Sequence, residues 1–232
     1  MTTLFVTSSG TDVGKTHVCC RLIESLRSRV GLRCIKPVVS GFDAEQVDSS
    51  DTARLIRAQA LPLAPGTIDA TSPWRFRAAV SADMAAAREN RTIPFGELLA
   101  FCRAESGADL TLIEGIGGVM APIDENNTVL DWIAALETKT LLVVGSYLGS
   151  LSHSLTAVDV LTHRGRRPIA IVVSQSEAEP VPTEATAACL ARHCDEIPVT
   201  ILWRDDEQRT DESIGVIERA LTSSEKGRRL PG

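Results

Sequence analysis

Gly14, Lys15 and Thr16 stand between an apolar run and an amphipathic stretch, within LFVTSSGTDVGKTHVCCRLIESL at residues 4–26. Each residue type suits one part of a polyphosphate. A glycine lets the backbone approach a phosphate, and a helix start offers free N–H groups at the positive end of its dipole. A lysine adds a cation, and a threonine hydroxyl holds magnesium. The pattern is that of a phosphate-binding loop, although Ser9 stands where the strict GxxxxGK[ST] spacing has its first glycine. The alternative for the same residues is an ordinary strand-to-helix turn with a solvated lysine.

Four further residues have types and positions that suit chemistry. Glu114 closes the apolar run LTLIE and precedes GIGG at 115–118. Ligands of a parallel sheet bind beyond the carboxyl ends of its strands, so this carboxylate opens toward the same side as the loop and suits magnesium or its surroundings. A strand-end acid facing water is the alternative. Lys36 interrupts RCIKPVV at 33–39, where burying an ammonium without an anion is costly, and Pro37, unable to donate to a ladder, puts it at the strand end. A phosphate or carboxylate partner answers that cost, as does a lysine that snorkels to water. Asp51, in SSDTARLI, falls in the first turn of a helix, where the residues alone favour a capping role. His153, in YLGSLSH, follows Gly149 and Ser150 at another strand-to-helix junction able to accept an anion, where a lone histidine is as a rule structural.

The elements that must position these residues can be read from hydrophobic periodicity. Continuous β-branched runs at 3–7, 33–39, 110–114, 140–145, 168–174 and 198–202 suit strands covered on both faces. Helical patterns fill the intervals at 16–29, 50–60, 81–90, 94–105, 128–137, 151–164 and 183–194, with a last one at 211–222. Alternation of this kind implies right-handed crossovers and a parallel sheet. The expected fold is α/β: a three-layer, P-loop NTPase-like arrangement with a mainly parallel central sheet flanked by helices. Residues 61–78, with Pro62, Pro65 and Pro73, read as the longest irregular segment, and 223–232 as a polar, flexible tail.

The bulk composition narrows the function classes. A chain of 232 residues, 44% of them hydrophobic, suits one domain over 1–222. A net charge of -6 argues against a sequence-independent nucleic-acid binder, which needs a basic face. No apolar run approaches the roughly 20 residues of a membrane span, and the first residues lead into a strand without a leader pattern. The six cysteines show no metal-ligand pairing, Cys189, His193 and Cys194 sharing one helical stretch, and they read as reduced thiols of a cytoplasmic protein.

Taken together, VTSSGTDVGKT at 6–16, KPVVSG at 36–41, SSD at 49–51, EGIGG at 114–118 and YLGSLSH at 147–153 resemble dethiobiotin synthetase in order and spacing, over residues 1 to about 175. That family uses ATP, magnesium and carbon dioxide to close the ureido ring of dethiobiotin from 7,8-diaminopelargonic acid, as a homodimer. The resemblance implies that Asp12, Val13, Gly14, Lys15, Thr16 and His17 hold the triphosphate. It implies that Thr16, Asp51 and Glu114 hold magnesium, which replaces the capping role of Asp51. Gly115, Ile116, Gly117 and Ser174 complete the nucleotide set. Lys36 and Lys15 are the implied catalytic cations, and Ser40 touches the substrate. Gly149, Ser150, Leu151, Ser152 and His153 would present a helix start to the substrate carboxylate across the dimer interface.

Three departures from the family accompany the resemblance. Ser8 stands where the family has glycine, and SADMAAA at 81–87 replaces a segment near the substrate. Ser174 replaces the asparagine that reads adenine, and a serine lacks the two-sided amide pattern, so an altered or relaxed base preference is expected. A dimeric P-loop ATPase acting as a switch and an amidoligase on the same scaffold are the competing readings.

Overall fold

The protein is described here by a computed structural model covering residues 2–177, 180–204 and 206–223. The tail expected beyond residue 223 lies outside the described residues. Strand β1 (Thr2–Ser8) runs through the loop at 9–14 into α1 (Lys15–Leu26), followed by β2 (Leu32–Ile35), β3 (Val38–Ser40) and α2 (Asp51–Ala58). Next come α3 (Pro65–Thr71), β4 (Trp74–Phe76), α4 (Ala82–Arg88), α5 (Phe95–Arg103) and β5 (Leu110–Glu114). The chain ends with α6 (Val129–Leu136), β6 (Lys139–Gly145), α7 (Ser150–His163), β7 (Ala170–Ser174), α8 (Thr183–His193), β8 (Val199–Leu202) and α9 (Glu207–Ser223).

The main sheet has the order β2-β5-β1-β6-β7-β8, and all its pairs are parallel. From β1 the chain first builds outward to β2, leaving a place that β5 later fills, and then builds the other way through β6, β7 and β8. That reversal makes the carboxyl end of β1 the switch point at which an open α/β sheet forms its ligand crevice. The continuous apolar runs are explained by two-sided cover. On β1, Phe5 packs into one core with Ile113, Leu142, Val173 and Trp132, while Leu4 and Val6 point into the opposite core with Leu112, Val143, Leu22 and Ile217. Phe5 and Trp132 meet edge-to-face, with ring centroids 4.8 Å apart.

Two sequence expectations are corrected. The run at 33–39 is not one strand: it breaks at Lys36 and Pro37, and β3 leaves the main sheet to pair in parallel with β4 in a separate ribbon. The segment 61–78 is irregular only in part, because it contains α3 and β4. Pro65 occupies the first turn of α3, where the missing N–H of proline costs nothing, so a proline expected within an irregular segment is a helix start.

Candidate functional site

Strand register delivers the chemistry to one edge. Ile35 pairs with Ile113, so the next residue along each strand places Lys36 beside Glu114. Val6 also pairs with Glu114, which brings the loop after β1 to the same point. Loop 9–14 then turns into α1 through Gly14, whose φ of 94° is left-handed. A side chain there would collide with Ser174 Oγ at the end of β7, so glycine is required both for the turn and for the close approach. At Gly118 a Cβ would lie 3.2 Å from the backbone of Gly10, and only glycine lets the loops after β1 and β5 pack main chain to main chain.

Lys36 and Glu114 are the centre of the arrangement. Glu114 is 0% exposed and Lys36 7%. Lys36 Nζ lies 2.8 Å from Glu114 Oε1 and is paired with Asp51 Oδ2. Thr16 Oγ1 donates to Glu114 Oε1 at 2.6 Å and lies 3.4 Å from Lys36 Nζ. Burial alone would strip the proton from Lys36, but the charges of Glu114 and Asp51 outweigh it and hold the ammonium above its ordinary range. For Asp51 burial likewise favours the neutral acid, and Lys36 overrides it, pulling the carboxyl below its usual range. The cap of α2 is Ser50, whose hydroxyl accepts from Ala53 N at 3.1 Å, which corrects the capping role read for Asp51 from the residues alone.

Lys15 lies in the same cavity with a different set of partners. Its Nζ donates to Ser8 Oγ and to Gly117 O, each at 3.0 Å. Burial is the main force on its pKa; Glu114 opposes that force, Lys36 adds to it, and the group comes to about 8. His17 is also lowered, first by burial and then by Arg54, Arg21 and Arg204.

The cavity has a volume of about 670 Å³ and includes Asp12, Gly14, Lys15, Thr16, Lys36 and Glu114 in its lining. His17, Ser40, Asp51, Ile116, Gly117 and Ser174 also line it. Two expected nucleotide residues do not. Val13 is 6% exposed within the hydrophobic core, and a side chain at Gly115 would run into Phe5, so what these positions can offer the cavity is backbone. A smaller hollow of about 260 Å³ shares Ser40 and Asp51 with the main cavity.

Thr11, Arg54 and Arg204 line the cavity without having been singled out in the sequence. Arg54 lies three residues after Asp51 on α2, a spacing that places both on one helix face. Arg204 follows the end of β8 closely, as Lys36 follows β2, and its Nε donates to Gln175 O at 2.9 Å.

The residues expected to meet substrate at the start of α7 are not part of this cavity. Gly149, at φ 92°, opens the helix, Ser150 is buried, and Leu151, Ser152 and His153 make up the rest of the first turn. None of them is among the residues lining either hollow. Tyr147 shares a 2.9 Å hydrogen bond with His153 Nδ1, and Leu148 is 82% exposed. Tyr147 is close to the phosphate-binding loop: its hydroxyl would lie 3.7 Å from a Cβ on Gly10.

The oxygen donors around Glu114 suit magnesium. Among the described residues nothing hydrogen-bonds Glu114 Oε2, a fully buried carboxylate oxygen in a site lined by Thr16 and Asp51. Among those residues no three His, Cys, Asp or Glu side chains gather to hold a metal by themselves. Two carboxylates and a hydroxyl fit the partial shell that magnesium takes beside phosphates and water.

A family model described as an AAA domain matches residues 2–202. The ATP-dependent dethiobiotin synthetase BioD of Acidiphilium cryptum (strain JF-5) is 45% identical over 209 residues, covering 88% of this chain and 94% of that protein. The enzyme of the same name from Caulobacter vibrioides (strain NA1000 / CB15N) is 48% identical over 180 residues, covering 76% and 81%. Among solved structures, HypB from Helicobacter pylori in complex with nickel superposes with a TM-score of 0.53 at 12% identity, covering 100% of this chain and 91% of that one, a likeness of fold alone. No helix among the described residues is long and apolar enough to cross a membrane.

Proposed function

The chain belongs to the dethiobiotin synthetase family, and from that premise we propose that it closes the ureido ring of dethiobiotin from 7,8-diaminopelargonic acid, carbon dioxide and a nucleoside triphosphate. The observation that carries this reading is the meeting of Lys36, Glu114, Asp51 and Thr16 beside Lys15 in one cavity at the switch point of the sheet. A volume of about 670 Å³ lies within the 300–1,000 Å³ typical of small-molecule sites.

In this reading the triphosphate lies against the amides at the start of α1, with Lys15 as its fixed cation. One substrate amine captures carbon dioxide as a carbamate, and a carbamate oxygen attacks the γ-phosphate, releasing the nucleoside diphosphate. Lys36, kept protonated by its two carboxylates, faces the charge that builds on the carbamate and the transferring phosphoryl group. The second amine, already tethered to its target, attacks the carbonyl of the carbamic-phosphoric anhydride, and phosphate leaves as the five-membered urea closes. Thr16, Asp51 and Glu114 would hold magnesium, which when bound neutralises the β- and γ-phosphate oxygens. Ser40, which lines both hollows, would touch the diamine. The start of α7 would receive the substrate carboxylate from a partner subunit in a cytoplasmic homodimer, which accounts for its separation from the main cavity.

The test supplies diaminopelargonic acid, bicarbonate, Mg²⁺ and a panel of nucleoside triphosphates and measures dethiobiotin by mass. The expected result is dethiobiotin formed in step with phosphate, with a base preference altered or relaxed because Ser174 stands at the edge of the cavity. Nucleotide hydrolysis without ring closure would overturn the reading, and a strong bias for ATP over CTP and GTP would overturn the expectation about the base.

A further inference from the structure

Ser8 ends β1 immediately before the loop, and its side chain is 0% exposed. Its hydroxyl lies 2.6 Å from Gly10 O and 2.8 Å from Gly117 O, and it accepts from Lys15 Nζ at 3.0 Å. A hydroxyl carries one proton, so it donates to one of the two carbonyls at a time while its lone pair takes the ammonium. Lys15 Nζ also reaches Gly117 O at 3.0 Å, with Gly10 O further away at 3.5 Å. The ammonium therefore rests on a floor made of one side chain and one main-chain oxygen. Its third contact, to Gly10 O, is long and weak, which leaves that donor the readiest to turn to a ligand in the cavity that Lys15 lines. Backbone closes the same assembly from the other side, because Val119 N donates to Ser8 O at 2.9 Å. Ser8 thus ties together the loop after β1, the loop after β5 and the lysine between them.

The division of partners between the two lysines gives this contact its importance. Lys36 is fixed by carboxylates, a strong and charged hold. Lys15 is fixed by neutral oxygens, and of these only Ser8 Oγ belongs to a side chain that substitution can remove. We propose that Ser8 is a positioning residue for phosphoryl transfer: its buried hydroxyl fixes the aim of Lys15 at the triphosphate and couples that aim to the loop after β5. The inference rests on the reading that Lys15 serves a triphosphate.

Ground-state nucleotide binding draws on several loop amides, the helix start and other cations, so it tolerates the loss of one contact. Charge that develops only in the transition state is met by fewer groups, Lys15 and Lys36 among them, so the aim of one ammonium counts for more there. Ser8→Ala and Ser8→Gly are expected to lower kcat for phosphate release by about tenfold, with KM for the triphosphate changed by less than about threefold. Both variants should melt somewhat below the wild type, because the buried contacts of the hydroxyl are lost and glycine also loosens the strand end, so kcat is read well below each variant's own melting temperature. Ser8→Thr, which keeps the hydroxyl, should recover most of the lost kcat. An unchanged kcat in the alanine and glycine variants overturns the proposal. So does a rise in KM at constant kcat, which is the result of a purely structural role in shaping the loop. Wild-type samples separate the two readings. Phosphate release without dethiobiotin overturns the proposed function and leaves the Ser8 comparison to be judged on phosphate alone, whereas wild type that releases no phosphate overturns both.

Discussion

The end of the molecule around Lys15 and Lys36 and the end around Gly149 and His153 are both strand-to-helix junctions opened by a left-handed glycine, yet they are finished to different degrees. At the first, Gly14 leads into a helix whose first two residues, Lys15 and Thr16, are buried, with Thr16 interlocked with Lys36 just after β2 and with Glu114 of β5. At the second, Gly149 leads into a helix whose first turn exposes Ser152 and His153, with Leu148 jutting out just before it. One chain encloses the cluster around Lys15 and Lys36, while the start of α7 offers a surface. Under the proposed function the enclosed end handles the triphosphate, and the exposed end is the one that a second subunit would complete.

The largest expected effect is at the completed end. Lys36→Ala should lower turnover by about 10²- to 10³-fold, the range seen when one preorganised charge-stabilising donor is removed. Binding of a non-hydrolysable triphosphate should be largely kept. The same variant leaves Glu114 buried without its cation, and breaking a buried pair costs about 3–5 kcal/mol, so a lowered melting temperature should accompany it. Turnover within a few-fold of wild type would remove Lys36 from the mechanism and erase the contrast between the two ends.

A second effect follows from Lys15, which burial, together with Lys36, brings to about 8. The ratio kcat/KM for the triphosphate reports the free enzyme, and it should fall about tenfold for each pH unit above that value as the neutral amine forms. Folding does not confound this loss. The unfolded lysine keeps its proton to near its ordinary value of 10.5, so between about 8 and 10.5 the unfolded chain binds more protons and this group favours the folded state more as pH rises. Lys36, held above the ordinary range, stays charged throughout that window. A flat profile from pH 7 to 9.5 would contradict the assignment.

The smallest effect belongs to the exposed end. His153→Ala should raise KM for the diamine about three- to tenfold, the value of one ordinary hydrogen bond, and leave KM for the triphosphate unchanged. If both constants move together, the start of α7 acts through the nucleotide site, for which the nearness of Tyr147 to Gly10 gives a route.

The sequence discloses the two ends unequally for the same physical reason. Residues whose roles depend on local order are legible: Gly14, Lys15 and Thr16 between a strand and a helix, and Glu114 closing an apolar run. The cost of its burial marks Lys36 in the sequence, and register with β5 supplies the carboxylate that answers it. What the sequence hid depends on contacts far apart along the chain. Pairing of β3 with β4 turns 61–78 from an irregular segment into α3 and a strand. Arg204 joins the cavity only because β8 lies at the sheet edge next to β7. Ser8 reads as a misfit beside a glycine-rich loop, and only the distance to Gly117, 109 residues away, shows what its hydroxyl holds.

If the Lys15 and Lys36 cluster activates a carbamate by phosphorylating one of its oxygens, that oxygen must leave with the phosphate. With ¹⁸O-labelled carbon dioxide, diaminopelargonic acid and unlabelled nucleotide, the account predicts that each phosphate released during ring closure carries one ¹⁸O from the carbamate. Dethiobiotin carrying ¹⁸O in its ureido carbonyl alongside phosphate free of that label would contradict it.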